Sequence, residues 1–164
     1  MQIGIVSDSH SNRTKVSRAV GLLETLGITT VLHCGDIADA AVVEAFANFK
    51  SYFVFGNVDF DRQSLLAAMR RTGAVCCGEF GELELAGRKI AFLHGDDKRR
   101  LEREAHSGHY DLVGYGHTHK AESHRTGSTL VVNPGALHRA KTHTLAVYDA
   151  QQGGVEIIPL QARL

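Results

Sequence analysis

Five segments that are predicted to be β-strands each end in residues able to bind a metal ion or a phosphate. The first strand runs into Asp8-Ser9-His10, and the others run into Gly35-Asp36, Gly56-Asn57, His94-Gly95 and Gly116-His117-Thr118-His119. In open α/β sheets, ligands bind outside the carboxyl ends of the strands. We therefore expect these residues to form one shared site, which requires a fold in which several parallel strands end at one edge.

The first half of the chain alternates between apolar segments and segments with helical spacing of apolar residues. Strands are predicted at 2–7, 29–34 and 51–55, and helices at 13–26, 39–49 and 62–71. This β-α-β-α-β order implies parallel strands that are joined by right-handed crossovers.

The second half of the chain has shorter strands and one charged helix. A hairpin is predicted from strands 82–86 and 89–93, a helix at 97–106, a strand at 111–115, and antiparallel strands at 121–126, 129–133, 143–149 and 155–160. No linker or repeat divides the chain. We expect a single α/β domain over residues 1–164, with two sheets packed face to face and helices outside them.

The composition is that of a globular protein and excludes several classes. Hydrophobic residues make up 43% of the chain and charged residues 22%, which excludes disorder and a coiled coil. Eighteen basic residues balance eighteen acidic ones, so we expect no specific nucleic-acid binding and no membrane binding. No apolar run is long enough to span a bilayer, and the start MQIGIVSDSH lacks the features of a signal peptide.

The cysteines indicate a reducing compartment. Cys34, Cys76 and Cys77 are odd in number and form no CxxC motif. We interpret them as reduced thiols of a cytoplasmic protein, with Cys34 as a small buried hydrophobic residue. The sequence leaves a homo-oligomer open.

Two pairs of candidate ligands are separated by a single residue. In Asp8-x-His10 and His117-x-His119, an extended backbone would point both side chains to the same face, so each pair could bind one ion. The neighbouring glycines allow tight turns or a close approach of the backbone to ions and phosphate. Each motif alone has a simpler explanation, such as a capped loop or a turn. The complete set, in this order and at these strand ends, indicates a site.

The number and type of the candidate ligands predict two metal ions rather than one. The seven side chains are Asp8, His10, Asp36, Asn57, His94, His117 and His119. Seven ligands are too many for one tetrahedral ion and suit two ions that share a carboxylate. A shell of oxygen and imidazole without thiolate suits Mn²⁺, Fe²⁺, Ni²⁺ or Zn²⁺, and we expect Mn²⁺. Two such ions can clamp a phosphoryl group for in-line attack.

Several further residues have two explanations each. Asp39 either holds a ligand or caps the second helix, and Asp59 either orients a water molecule or stabilises a turn. Asp96 and Asp97 are expected to cap the charged helix, although Asp96 could line the site. The basic residues at 98–103 either meet a phosphate or form a solvated face. His33, inside a strand, is expected to be a core histidine.

Together these motifs resemble those of the calcineurin-like metallophosphoesterase family. The family pattern D-x-H, G-D-x-x-D, G-N-x-[D/E], an isolated His and G-H-x-H is present from Asp8 to His119. The short chain, the HG after strand 89–93 and the turn Asn133-Pro134-Gly135-Ala136 are most similar to the small prokaryotic phosphodiesterase branch. The resemblance covers residue 3 to about residue 149.

The resemblance implies a four-layer αββα sandwich with a dinuclear site. One ion would bind Asp8, His10, Asp36 and His119, and the other Asp36, Asn57, His94 and His117, with Asp36 bridging the two. A bridging hydroxide would be the nucleophile. The residues assigned to catalysis are Asp36, Asn57, His117 and Asp59.

One position departs from the family pattern and bears on the substrate. Many members have His after the GN, where it protonates the leaving group or contacts phosphate, whereas this chain has Val58. We therefore expect a phosphodiesterase that acts on a small phosphodiester. The alternatives are a phosphomonoesterase or nucleotide pyrophosphohydrolase with the same site, and a protein-interaction scaffold like the retromer subunit of this family. Because all seven ligand positions carry competent residues, the enzyme is favoured over the scaffold.

Overall fold

The computed structural model describes residues 1–160 and consists of two mixed β-sheets with helices on their outer faces. Residues 161–164, which belong to the domain predicted over 1–164, lie outside the described residues. The strands are β1 (Gln2–Val6), β2 (Thr30–His33), β3 (Lys50–Phe53), β4 (Val75–Cys76), β5 (Phe80–Leu85), β6 (Arg88–Leu93), β7 (Leu112–Gly114), β8 (Glu122–Thr126), β9 (Thr129–Asn133), β10 (Thr144–Asp149) and β11 (Gly154–Pro159). The helices are α1 (Arg13–Thr25), α2 (Ala40–Ala45), α3 (Arg62–Thr72) and α4 (Lys98–His106).

The first sheet has the strand order β11-β10-β1-β2-β3-β4, and the second has the order β5-β6-β7-β9-β8. Strands β1, β2 and β3 are parallel neighbours, as the alternation of strands and helices predicted. Strands β6 and β7 are also parallel neighbours. Each sheet therefore brings the carboxyl ends of adjacent strands to one edge, where the motif residues follow.

Three apolar layers confirm the predicted four-layer αββα sandwich. Along β1, Ile3 and Ile5 face the second sheet, where they pack with Phe92, while Val6 packs on the helix side with Leu23. This alternation is the period-two pattern of a strand that is buried on both faces. A third layer joins the second sheet to α4 through residues such as Ala105.

Three details of the secondary structure differ from the sequence predictions. Helix α2 is shorter than the predicted 39–49, because bonds from residue i to residue i−3 form the turns after Ala45. Strand β4 was not predicted, since two residues carry no alternation signal. The prediction of antiparallel pairing is right for β8 with β9 and for β10 with β11, but β9 also pairs in parallel with β7.

The inner position of β9 has a simple physical cause. All five residues of β9 are buried, whereas four of the five residues of the polar strand β8 are exposed. An apolar strand is stabilised between two neighbours, while a polar strand suits the edge of a sheet. None of the helices among residues 1–160 is long and apolar enough to cross a membrane.

Candidate metal centre

The two sheets bring all seven predicted ligands to one place. Backbone bonds join the loops of the first sheet, because the Asp8 N–H donates to Gly35 O at 3.1 Å and the His10 N–H donates to Asp36 O at 3.0 Å. The second sheet is joined to the first through Asp8 itself, whose Oδ2 accepts the backbone N–H of His117 at 3.0 Å. The residues that follow β1, β2, β6 and β7 therefore form one connected structure.

A first cluster of ligand atoms consists of Asp8, His10 and His119. The Oδ1 atom of Asp8 lies 3.2 Å from Nε2 of His119 and 3.7 Å from Nε2 of His10. Asp8 is fully buried, and the two histidine side chains are each 22% exposed. The cluster thus has a buried carboxylate at its base and imidazoles at its mouth.

A second cluster consists of Asp36, Asn57, His94 and His117. The Nε2 atom of His94 lies 2.9 Å from Oδ1 of Asn57 and 3.3 Å from Oδ2 of Asp36. The Nδ1 atom of His117 lies 3.1 Å from the same Asn57 oxygen. Two imidazole nitrogens, an amide oxygen and a carboxylate oxygen therefore converge here, and Nε2 of His94 lies within 3.3 Å of the other three atoms.

Asp36 lies between the two clusters. Its Oδ2 is 3.2 Å from Nε2 of His10 in the first cluster and 3.3 Å from Nε2 of His94 in the second. Its Oδ1 is held by the backbone N–H of Val58 at 3.1 Å. The carboxylate is thus oriented with one oxygen facing ligands of both clusters. The buried Asp8 also lies within reach of both, because Asp8, Asp36 and His94 form a second group with metal-ligand spacing.

Unpaired polar atoms show that the site fits divalent cations. Among residues 1–160, Asp8 Oδ1 and His10 Nε2 are buried without a hydrogen-bond partner. A buried polar atom left unpaired costs about 1–3 kcal/mol, and a cation at this position would remove that cost. The donors are nitrogen and oxygen without thiolate, which suits first-row transition metals.

The histidine rings are oriented by hydrogen bonds on their far side. Nδ1 of His94 donates to the carbonyl oxygen of Cys34 at 2.9 Å, and Nδ1 of His119 lies 3.4 Å from the carbonyl oxygen of Arg139. With the proton on Nδ1, the lone pair of Nε2 faces the site. Such outer contacts fix the tautomer of metal-binding histidines.

The carboxylates and the histidines of the site shift each other's pKa values. The carboxylates of Asp36 and Asp8, whose oxygens lie 3.2 and 3.7 Å from Nε2 of His10, raise the pKa of His10 to about 9, against the opposing effect of burial. Burial alone would raise the pKa of Asp36, but the nearby imidazoles of His10 and His94 outweigh this effect and hold that pKa well below its usual range. Without a bound cation, protons therefore occupy part of this electronegative site, and a metal ion must displace them.

The prediction of an extended backbone at the two ligand pairs is wrong. Asp8, His10, Asp36, His117 and His119 have φ angles of 53°, 40°, 56°, 67° and 58°, which lie in the left-handed region. This region is unfavourable for residues other than glycine and is concentrated at functional sites. The side chains converge because the chain turns tightly, rather than because a strand continues.

Two glycines allow the carboxylates to reach their positions. A Cβ atom at Gly116 would collide with the side chains of Ser7 and Asp8, and one at Gly56 would collide with Asp36. At both glycines the absent side chain leaves room for a ligand carboxylate, while the close backbone approach to ions or phosphate stays a prediction.

Asp59 is buried and bound entirely to the backbone. Its Oδ1 accepts the N–H groups of Ile37 at 2.8 Å and Ala38 at 2.7 Å, and its Oδ2 accepts the N–H of Gly56 at 2.7 Å. These bonds match the turn-stabilising explanation, and they join the loop after β2 to the loop after β3.

The structure tests the explanations proposed from the sequence for three other residues. Asp39 caps α2 by accepting the Ala41 N–H at 2.8 Å and also pairs with Arg13, so the capping explanation is confirmed. Asp97 caps α4, as expected. His33 is fully buried, as expected for a core histidine, and burial lowers its pKa to about 3.

The sequence analysis missed some residues near the site. His138 lies beside His10, with ring centroids 5.1 Å apart, and no motif had pointed to it. Ser9 Oγ lies 2.6 Å from Nε2 of His33, which links the Asp8–His10 turn to the core. Arg62 and Arg100 line a cavity next to Asn57, and only the basic run at 98–103 had pointed to Arg100.

Comparisons with known proteins identify relatives along nearly the whole chain. The profile of the calcineurin-like phosphoesterase superfamily domain matches residues 1–153. A phosphodiesterase of Methanocaldococcus jannaschii is 32% identical over 138 residues, which cover 82% of this chain and 83% of that protein.

Solved structures share the fold. The structure of an archaeal phosphodiesterase superposes with a TM-score of 0.90 at 28% identity, covering 97% of this chain and 99% of that one. Vacuolar Protein Sorting 29 from Cryptosporidium parvum superposes with a TM-score of 0.60 at 23% identity, covering 96% and 95% of the two chains, and shows the fold alone. The chain therefore belongs to the calcineurin-like phosphoesterase superfamily and is an enzyme of the phosphoric ester hydrolase class.

Proposed function

We propose that this protein hydrolyses small phosphodiesters at a pair of divalent metal ions. The observation that supports this proposal most is the position of Asp36, whose Oδ2 faces His10 of one cluster and His94 of the other at 3.2 and 3.3 Å. The relative in Methanocaldococcus jannaschii, which is named a phosphodiesterase, supports the diester as the substrate class.

Each ion would be held by four side chains, and the carboxylate of Asp36 would belong to both sets. One set is Asp8, His10, Asp36 and His119, and the other is Asp36, Asn57, His94 and His117. When bound, such a pair supplies Lewis acidity and a bridging hydroxide nucleophile at neutral pH. The protein's own contribution is to orient these donors, through the Val58 N–H on Asp36 and the Cys34 carbonyl on His94.

Asp59 acts in this proposal as a positioning residue. All its hydrogen bonds run to the backbone N–H groups of Ile37, Ala38 and Gly56. It therefore holds the loops of Asp36 and Asn57 together rather than contacting substrate, which revises its assignment to catalysis.

The metal and the compartment are further parts of the proposal. Manganese suits a shell of carboxylate, amide and imidazole donors, and nickel, iron and zinc are the alternatives. A cytoplasmic location is supported by the free state of Cys34, Cys76 and Cys77.

The alternative activities are less well supported. A phosphomonoesterase or pyrophosphohydrolase would use the same ligands, but Val58 offers no proton to a basic leaving group. A scaffold would have no need for buried unpaired atoms such as Asp8 Oδ1 and His10 Nε2.

Removal of the metal tests the proposal. Protein stripped by chelation should fail to hydrolyse bis(p-nitrophenyl) phosphate, and added Mn²⁺ should restore activity. Asp36→Asn should lose both metal, as measured by elemental analysis, and turnover. Asp61→Asn is the matched control, because Asp61 caps α3 outside the site and Asn is an equally good cap. Full activity of a preparation shown to contain no metal would refute the mechanism.

A further inference from the structure

A small cavity opens beside the second cluster and shares Asn57 and His94 with it. Its volume is about 140 Å³, and Phe55, Arg62 and Arg100 contribute to its walls. Pockets that enclose whole drug-sized ligands measure roughly 300–1,000 Å³. This cavity can therefore hold only one part of a substrate whose reacting phosphate lies at the ligand cluster.

One of the two arginines in the cavity is already neutralised. The guanidinium of Arg62 lies over the ring of Phe55, 4.7 Å from its centroid. Its Nη2 also donates to Oε1 of Glu79 at 2.9 Å. This pairing fixes the position of Arg62 and leaves it little free charge to attract a ligand.

The other arginine has unused hydrogen-bonding capacity. The guanidinium of Arg100 lies 4.2 Å from the centroid of the Phe80 ring, which fixes its plane. Its Nε is buried and has no hydrogen-bond partner among residues 1–160. The burial of an unpaired donor on a cation is unfavourable, and the guanidinium of Arg100 has capacity left to bind an anion.

The acidic residues nearby do not satisfy Arg100. Oδ1 of Asp97 accepts the backbone N–H of Arg100 at 3.1 Å and so caps α4. Asp96 and Asp97 themselves line the cavity, but both residues are exposed, so solvent with its ions screens their charges. Within the described part of the chain, no carboxylate oxygen lies within 4.0 Å of the Arg100 guanidinium.

We propose that this cavity binds one ester arm of the diester and that Arg100 binds a second phosphate carried by that arm. The inference rests on the proposed function, because the arm reaches the cavity only when the scissile phosphate lies beside Asn57 and His94. A guanidinium matches a phosphate through parallel hydrogen bonds. Within the cavity, one face of Phe55 is covered by the guanidinium of Arg62, so the cavity offers donors rather than open aromatic surface for a nucleobase.

Two diesters with the same leaving group test the substrate class. Propyl p-nitrophenyl phosphate and 3-phosphopropyl p-nitrophenyl phosphate both release p-nitrophenolate as water adds to the central phosphorus. The manganese-loaded wild type should prefer the phosphorylated diester. In Arg100→Gln, kcat/KM for that diester should fall roughly 10- to 100-fold more than for the propyl diester, as expected for a lost hydrogen bond to a charged group. Equal losses on both diesters, or no preference in the wild type, would overturn the proposal.

Arg99→Gln is the matched control, because Arg99 is an exposed residue of the same helix. It should leave the ratio of the two kcat/KM values unchanged. A fall in this ratio equal to that of Arg100→Gln would assign the effect to the general charge of α4 and contradict the subsite.

Binding of the products separates this inference from the proposed function. Calorimetry on manganese-loaded protein should show that propane-1,3-diyl bisphosphate binds about tenfold or more tightly than propyl phosphate, and that Arg100→Gln removes the difference. If neither diester is hydrolysed, the proposed function fails, while this comparison still decides the subsite. Equal binding of the two products by the wild type would refute the subsite even in an active enzyme.

Discussion

Val58 follows the ligand Asn57 directly, and its aliphatic side chain can neither donate a proton nor bind a metal ion. Its backbone N–H holds Oδ1 of Asp36 at 3.1 Å, so the residue contributes through its backbone alone. A proton donor at a basic leaving group contributes roughly 10²–10⁴-fold. An aryl oxide leaves without that help, whereas an alkoxide benefits from it.

We predict that the wild type hydrolyses aryl diesters better than alkyl monoesters, and that Val58→His raises monoesterase activity more than diesterase activity. The imidazole must reach the site without displacing Asn57, so the gain should be well below the full range of a placed acid. Parallel kinetics on both substrates measure the ratio of the two activities. Val58→Gln is the control, because it adds polarity without a titratable proton. If the wild type already favours alkyl monoesters, Val58 does not set the substrate class.

At the scale of single residues, the sequence predicts which atoms bind but not what holds them. Donor types such as those of Asp36 and His94 follow directly from residue identity, and their place follows from the strand that each one ends. The bonds of Asp59 to Ile37 and Ala38 depend on the distance between two loops, which no local pattern encodes. The left-handed backbone of Asp8 is likewise set by tertiary contacts, because local preference opposes it.

At the scale of elements, the loops after β2 and β3 are joined by one side chain. Asp59 accepts three backbone N–H groups, two from the loop of Asp36 and one from Gly56 at the start of the Asn57 turn. A buried carboxylate therefore fixes the positions of the two loops relative to each other.

We predict that Asp59→Asn lowers the free energy of unfolding by about 1–3 kcal/mol, because the amide group presents a donor where an N–H needs an acceptor. The affinity for Mn²⁺ should fall as well, since Asp36 and Asn57 lose their common support. Urea unfolding and metal titration measure the two effects. Asp61→Asn should change stability by less than about 0.5 kcal/mol, and an Asp59 variant equal to it would contradict the role of this carboxylate.

Elements with long periodic patterns were predicted well, whereas those defined by their partners were not. Helices α3 and α4 begin and end within one residue of the predicted 62–71 and 97–106. Strand β4 exists because its two residues pair with β3, and β9 takes the inner position beside β7 because its other neighbour, β8, is polar and suits the edge. Pairing of this kind depends on the position of another strand, so one segment read alone cannot show it.

At the scale of the whole molecule, the metal centre spans the contact between the two sheets. Asp8, His10, Asp36 and Asn57 follow strands of the first sheet, and His94, His117 and His119 follow strands of the second. A cation bound to both sets favours the packed arrangement of the sheets over the unfolded chain, and so raises the free energy of unfolding.

The stability of metal-free protein depends on pH mainly through His10. Burial lowers the pKa of His94, but its contact with Asp36 outweighs burial and raises that pKa, so His94 acts in the same direction. The pKa of His10 is raised to about 9 in the folded protein, against roughly 6.5 in an unfolded chain. In metal-free protein its stabilising contribution is therefore complete below about pH 6.5 and lost as the pH rises through about 9. The pKa of His33 is lowered to about 3, so this ring opposes the slope until it has lost its proton in the unfolded chain as well, and above about pH 7.5 it is neutral in both states and adds no slope.

We predict that the melting temperature of metal-free protein falls between about pH 7 and about pH 8.5, while the increase caused by Mn²⁺ grows over the same range. The first effect arises because His10 loses its proton, and the second because the ion no longer competes with that proton for Nε2. Thermal unfolding with and without Mn²⁺ at several pH values measures both effects. His10→Gln should flatten both slopes, because glutamine does not titrate. If Mn²⁺ raises the melting temperature of the wild type by the same amount at every pH, His10 does not exchange its proton for the ion.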